Sequence, residues 1–243
     1  MKNLVTSFWL IFCISVLLFS FGLSWQVNKS VNFTYPMWYQ VLNIDAHISK
    51  YAPQNKYNKQ DFVNTNKSQH IDLFEQVVVS INNQGENLDN ISYQIKNKSK
   101  PLFTQSEVIH LQDVSNLVDT LRLVWLVNLL PLILLSLLYI QKRLYMPSTK
   151  LKVKTLIVSV LVIISSFAIF GFKKIFYYLH TAVFPDDHQW FFYYQESLMS
   201  TFMKAPDLFA AIGVNLLIVA VIIFSCCYYF INIQSIKNST LNQ

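Results

Sequence analysis

Four apolar runs, each close to the thickness of a lipid bilayer, constrain this chain more than anything else in it. They cover residues 4–24, 123–140, 156–171 (extendable to 176) and 209–231. A helix needs roughly 20 mostly apolar residues, within about 17 to 25, to cross the hydrocarbon core, where no backbone polar group can be left to water. Composition agrees. Of 243 residues, 53% are hydrophobic and 13% are charged, against roughly 25% charged in a soluble globular protein. These figures exclude disorder, a collagen-like repeat and a disulfide scaffold, and they disfavour a soluble single domain. The first run follows Lys2, but it is longer than the apolar stretch of a signal peptide. It also lacks a small-x-small cleavage site before Trp25, so it reads as an uncleaved span. Trp9, Trp25, Trp125, Tyr228 and Tyr229 suit the aromatic belts of a membrane protein. Cys13, Cys226 and Cys227 all lie in apolar runs and read as small buried hydrophobes.

The net charge of +6 does not mark a nucleic-acid surface, because one short stretch carries nearly all of it. Residues 141–154 hold Lys142, Arg143, Lys150, Lys152 and Lys154 and no acid, a charge of +5, whereas 25–121 and 171–208 each sum to −1. A short basic loop between two spans is the positive-inside signature of the cytoplasmic face. No nucleic-acid partner is expected. The fold class is therefore an α-helical membrane protein, with four transmembrane helices and a small mixed α/β extracellular cap. The expected order is a span at 1–24, the cap at 25–121, a span at 122–140, a cytoplasmic loop at 141–154, a span at 155–176, an extracellular aromatic-rich loop at 177–208, a span at 209–231 and a cytoplasmic tail at 232–243.

Inside the cap, Val31, Phe33 and Tyr35 alternate, as do Ile91, Tyr93 and Ile95, which predicts two short strands able to pair. Met37, Val41, Ile44, Ile48 and Tyr51 recur at helical spacing. So do Ile71, Phe74, Val77, Val78 and Ile81, with a stop near Gly85. Thr104-x-x-Glu107 has the form of a capping box and opens a third helix that can run straight into the second span. A straight helix would set His110 about 16 Å from Leu121 along its axis. Either the helix bends near Ser115 and Asn116, or the second span starts earlier and tilts.

The familiar catalytic signatures are missing: no Gly-x-Ser-x-Gly elbow, phosphate loop, Cys-x-x-Cys or His-Glu-x-x-His occurs. No cofactor and no metal is expected. Two polar groups remain. Glu107, His110 and Asp113 are spaced three apart and share a helix face. His110 sits at the edge of the apolar stripe, where a carboxylate one turn away can hold its ring and favour the imidazolium. The second group lies in 176–192, where His180 is followed by Phe184, the Asp186-Asp187-His188 turn and Trp190. A solvated helix edge and an interfacial aromatic belt are the bland readings of the two. His47 and His70 have no partner in sequence and are expected on the cap surface.

Taken together, the two groups resemble the lipoprotein intramolecular transacylases, integral membrane proteins of Gram-positive bacteria. Glu107, His110, Asp113 and Val114 match that family's Glu, His and Asp-Val spacing ahead of the second span, and Pro101-Leu102-Phe103 resembles its approach to this helix. His180, Phe184, Trp190, Glu196, Pro206, Asp207 and Phe209 match a second pattern in order. Glu196-Ser197 stand where the family usually has Asp-Pro, and the stretch from there to Pro206 is a few residues longer than usual.

The resemblance implies an acyltransferase of the bacterial cytoplasmic membrane, with its active site at the extracellular face. It would move the sn-2 acyl chain of a diacylglyceryl lipoprotein to the α-amine of its N-terminal cysteine, giving a lyso-form lipoprotein. His110 and His180 would be catalytic, with Glu107, Asp113, Trp190, Phe184 and Glu196 in support. The implied partners are diacylglyceryl-modified lipoproteins and membrane lipid, and the chain is expected to act as a monomer. Two alternatives stand beside this reading: a phospholipid-directed hydrolase or transacylase, and a non-enzymatic accessory subunit that docks through its cap.

Overall fold

The computed structural model describes the backbone of residues 2–96 and 98–240, and the side chains of these except 2, 3, 155, 156, 159, 160, 162–164, 166–168, 171–173, 176 and 232–240. The chain is mostly helical. In order it forms α1 (Lys2–Ser30), α2 (Tyr35–Val41), α3 (Ile44–Tyr51), α4 (Lys67–Ile81), β1 (Ser92–Ile95), β2 (Lys98–Pro101), α5 (Gln105–Ile140), α6 (Thr149–Val183), α7 (Leu198–Phe202) and α8 (Asp207–Thr240). Among the described residues three helices are long and apolar enough to cross a membrane, at Leu4–Ser30, Gln105–Ile140 and Asp207–Ile231. The remaining apolar run, 156–171, lies in α6, and most of its side chains, with Phe176, fall outside the described residues.

The chain divides into two compact units. One comprises Met1–Leu23, Leu123–Val183 and Val219–Gln243. Its small core is built from Trp9, Phe12, Val16, Leu135, Tyr139 and Ile231. Within it α1 and α5 meet closely. A Cβ on Gly22 would fall 2.1 Å from Trp125 Cδ1, so only glycine fits, and the Trp125 indole N–H donates to the Phe19 carbonyl at 3.2 Å. Asn128 donates to the Ser15 carbonyl at 2.8 Å. Large apolar side chains such as Leu130 and Ile169 lie open on the outside, which is stable against lipid and not against water.

The other unit comprises Ser24–Arg122 and Phe184–Ile218. Tyr35, Phe62, Leu73, Tyr93, Leu102 and Phe202 are among its fully buried side chains. Helix α4 forms as its spacing predicts. Asn66 caps it by accepting from Gln69 N at 3.0 Å, and Leu73, Phe74, Val77 and Val78 make its buried face. The predicted helical stretch from Met37 to Tyr51 is two helices, α2 and α3, broken where Asn43 takes a left-handed backbone (φ 52).

The strand predicted at Val31, Phe33 and Tyr35 is not one. Helix α1 runs on to Ser30, and Asn32, Phe33 and Thr34 follow in three consecutive left-handed conformations (φ 50, 49 and 53) before α2 starts. This tight turn swings Phe33 and Tyr35 into the core and leaves Val31 exposed, which produces the same alternation a strand would. Tyr35 stacks on Phe74 with centroids 4.2 Å apart. Asn215 Nδ2 donates to Thr34 Oγ1 at 2.8 Å and to the Phe33 carbonyl at 3.4 Å. Left-handed non-glycine residues cost of order 1 kcal/mol or more each, so such packing and bonding must hold them. The second predicted strand is β1. Its partner is β2, antiparallel, with Ser92 opposite Pro101 and Ile95 opposite Lys98.

The histidines expected on the cap surface are not there either. His70 falls on the apolar face of α4, four residues before Phe74, and is 1% exposed. His47 is half-buried, edge-on to Tyr194 at 4.4 Å and tilted on Tyr51 at 4.6 Å.

Candidate active site

Helix α5 opens with the capping box its sequence predicts. Glu107 Oε2 accepts from Thr104 N at 2.6 Å and from Thr104 Oγ1 at 2.8 Å, and Glu107 N donates back to Thr104 Oγ1 at 3.4 Å. The helix then continues to Ile140 with no interruption at Ser115 or Asn116. The start of α5 and the segment 184–199 belong to the same unit, and three successive turns of α5 each take a partner from that segment.

Glu107 is fully buried. Its Oε1 accepts from Ser197 Oγ at 2.6 Å and from Met199 N at 3.0 Å. Four donors therefore replace the water this carboxylate has lost, which is what a buried charge requires. Lys59 adds a countercharge: burial pushes its ammonium below the usual lysine range, and the Glu107 carboxylate opposes that push. Lys59 Nζ also donates to the Leu102 carbonyl at 2.9 Å. Ser197 in turn caps α7, accepting from Ser200 N at 2.9 Å. Glu107 is thus a structural clamp between α5 and the start of α7.

One turn on, His110 is 9% exposed. Phe184 meets its ring edge-to-face at 5.1 Å, and Phe192 lies tilted at 5.9 Å. Aromatic walls of this kind hold an imidazole in place. One further turn on, Asp113 Oδ2 lies 2.7 Å from His188 Nδ1. Asp113, expected to orient His110, therefore gives this oxygen to another histidine. The Asp113 carboxylate holds the His188 imidazole above the ordinary histidine range, with a lesser push from Asp187.

The other predicted site residues are distributed as follows. Phe184 is against His110, as above. Trp190 is half-buried and edge-on to Phe191 at 6.1 Å. Glu196 makes an ion pair with Lys56 at 2.8 Å near the surface. His180 lies half-buried in the last turn of α6 and belongs to the other unit. The residues that sequence reasoning missed are His188, Phe192, Ser197 and Met199. His188 was visible only as part of an acidic turn; its partner is 75 positions away. No local pattern could join the two.

Fold and site together describe a multi-pass membrane protein with a buried, aromatic-walled histidine at the start of a long helix. The sequence matches the family described as lipoprotein intramolecular transacylase Lit over residues 8–203. The chain belongs to the lipoprotein intramolecular transacylase family, which is a family of enzymes. Similar solved structures are those of the membrane-integral lipoprotein intramolecular transacylase Lit from Bacillus cereus. A form with a histidine-to-arginine substitution aligns at 14% identity with a TM-score of 0.67, covering 100% of this chain and 96% of that one. A histidine-to-alanine form aligns at 15% identity with a TM-score of 0.65, covering 98% and 97%. A third structure aligns at 16% identity with a TM-score of 0.61, covering 99% and 100%. At these identities the likeness is one of fold. A sequence comparison with curated proteins finds no match.

Proposed function

We propose that this protein moves the sn-2 acyl chain of a diacylglyceryl lipoprotein to the α-amine of the lipoprotein's N-terminal cysteine, leaving a lyso-form product. Donor ester and acceptor amine belong to one substrate molecule, so the protein's task is to hold them together and manage protons. Orientation alone is worth several kcal/mol, up to about 7 to 11 in favourable cases. What supports the reading, beyond family membership, is His110 buried between Phe184 and Phe192 at the head of α5. An apolar wall there keeps out water, the competing nucleophile.

In this reading the chain has four spans, adding 155–176 to the three described, and both termini and the basic loop at 141–154 are cytoplasmic. The polar unit is an extracellular cap, and the reaction takes place at the outer membrane interface in a monomer. His110 and His180 share the work of carrying a proton and steadying the carbonyl oxygen in the tetrahedral state. The substrate's acyl tails stay in the lipid throughout.

The test is mass spectrometry of lipoprotein N-terminal peptides from cells with and without this gene. Peptides with an N-acyl group and a mono-acyl glyceryl group should depend on the gene. His110→Ala and His180→Ala, each confirmed as present in the membrane, should return the peptides to the diacylglyceryl form with a free amine. Peptides that keep a free amine under confirmed wild-type expression would overturn the reading. Full conversion by either alanine variant would remove that histidine from the chemistry.

A further inference from the structure

The proposed reaction has a proton balance that His110 and His180 do not close. The α-amine of a peptide titrates near 7.7 to 8.0, so at about pH 7 it enters mostly as the ammonium. In the shift, an N–C bond forms to the acyl carbon and the C–O bond to glyceryl breaks. Of the three ammonium protons, one stays on the amide nitrogen and one goes to the released glyceryl oxygen. The third must leave for solvent. A walled-in histidine such as His110 is poorly placed to discharge it.

His188 has what that step needs. It lies four residues from Phe184, whose ring is on His110, and it bonds to Asp113, one helical turn from His110. Its side chain is 34% exposed where Asp113's is 12%, so the imidazole reaches both the half-buried carboxylate and water. With Nδ1 bonded to Asp113 Oδ2 at 2.7 Å, the ring is fixed as a donor to the carboxylate and Nε2 is left to accept. Among the described residues no hydrogen bond reaches Nε2. Resting on the transacylase reading, we propose that His188, backed by Asp113, is the proton outlet of the reaction: its Nε2 accepts the proton shed by the substrate ammonium and passes it to water.

The charged groups facing His188 are Asp113 from α5 and Asp187 from its own turn. Both favour the imidazolium, and Asp113 contributes the larger share through its hydrogen bond. A more basic imidazole is the better acceptor for a proton shed by the ammonium. Asp113 acts through His188 and is a positioning residue.

The experiment measures the initial rate of lipoprotein conversion by the full-length protein in detergent-lipid micelles across pH. The wild type is assayed first, and no conversion there would sink the transacylase reading itself. His188→Gln preserves size and polarity but cannot titrate. Its rate should fall about tenfold or more near pH 7, where the amine is still mostly ammonium and His188 keeps a neutral fraction able to accept, and recover to within about twofold near pH 9, where the amine loses its proton unaided. Added imidazole should restore part of the low-pH rate in His188→Ala. Asp113→Asn should lower the low-pH rate less than His188→Gln does, and the double variant should be no slower than His188→Gln alone. A loss that is the same at every pH and is not rescued by imidazole would overturn the proposal in favour of a loop-holding role. So would a wild-type pH profile in His188→Gln with the wild type active.

Discussion

Two histidine environments in the same unit make an instructive pair. His70, on α4, is 1% exposed and has both ring nitrogens engaged: Nδ1 lies 2.8 Å from Tyr39 Oη, and Nε2 lies 2.6 Å from Thr65 Oγ1. Tyr39 also donates to Asp45 Oδ1 at 3.0 Å, and Thr65 Oγ1 also donates to the Phe62 carbonyl. Phe62 lies tilted at 5.1 Å. The ring has no open side, and burial pushes it down to about 4. At the head of α5 the arrangement is reversed. His110 has aromatic walls, and the nearby carboxylate belongs to His188, which is partly open to solvent. A histidine with every bond satisfied inside a core stabilises a fold. A pair of histidines that differ in exposure and carboxylate support is equipped to move protons.

The sharpest way to break this contrast is to exchange the expected phenotypes. His110→Ala should lower lipoprotein conversion by more than about a hundredfold, the usual scale for losing a positioned acid-base group. The protein should still purify folded. His70→Ala should do the opposite. It leaves Tyr39 and Thr65 facing a cavity in the core, at a cost of about 2 to 4 kcal/mol. Thermal unfolding in detergent should report that loss, while conversion per folded molecule stays near the wild-type rate. If His70→Ala were stable but inactive, the two environments would not be divided in this way.

The same contrast explains what the sequence could reveal. Three of the four apolar runs, the Thr104-Glu107 box and the buried stripe of α4 are legible, because each depends on neighbours within one or two helical turns. The strand at β1 was legible for the same reason, but its partner at 98–101 is Lys-Ser-Lys-Pro and carries no apolar alternation. The turn at Asn32–Thr34 has the sequence pattern of a strand because three left-handed residues mimic its two-residue period. In the site, the spacing of Glu107, His110 and Asp113 identified the helix face correctly. It could not say where the carboxylates would go. Glu107 is taken by Ser197 and Met199, 90 and 92 positions on, and Asp113 by His188, 75 positions on. Those choices are made by tertiary packing. His70 was misplaced because a lone histidine among polar neighbours gives no hint of the Tyr39-Asp45 chain that satisfies it.

A smaller effect should appear in the pH dependence of stability. In the fold, His70 stays neutral down to about pH 4, whereas an unfolded histidine takes up its proton near 6.5. Between those values the unfolded chain binds more protons than the folded one. Stability should therefore be intact above about pH 6.5 and fall as the pH is lowered toward 4, by about 3 kcal/mol from His70 alone. Denaturation midpoints across this window should show the decline. His70→Gln should remove its own share of the decline and leave the share of His47, whose ring burial also pushes down to about 4, assisted by Lys204. A midpoint unchanged between pH 7 and 4 would mean that the Asp45-Tyr39 chain carries the charge after all and that His70 stays protonated.

The smallest expected effect belongs to Glu196, whose place in the family pattern suggested a supporting role. Its carboxylate pairs with Lys56 Nζ at 2.8 Å, with side chains 27% and 62% exposed respectively. The Glu196 carboxylate holds the Lys56 ammonium above the usual lysine range. Yet both groups remain well hydrated, and charges in water lose most of their attraction to solvent and salt, with a screening length of about 8 Å at physiological ionic strength. Glu107 differs in every respect: it is fully buried, has four donors and no access to water. Lys56→Ala should accordingly give no measurable change in thermal midpoint at physiological salt, and lipoprotein conversion at the wild-type rate. Glu107→Ala should destabilise the start of α5 and the start of α7 together, by about 3 to 5 kcal/mol, since Ser197, Met199 N and Thr104 N would all lose an acceptor in the core. Should Lys56→Ala instead cut conversion while leaving the midpoint alone, Glu196 would need its partner for more than surface charge, and the line between structural and functional carboxylates would move to include it.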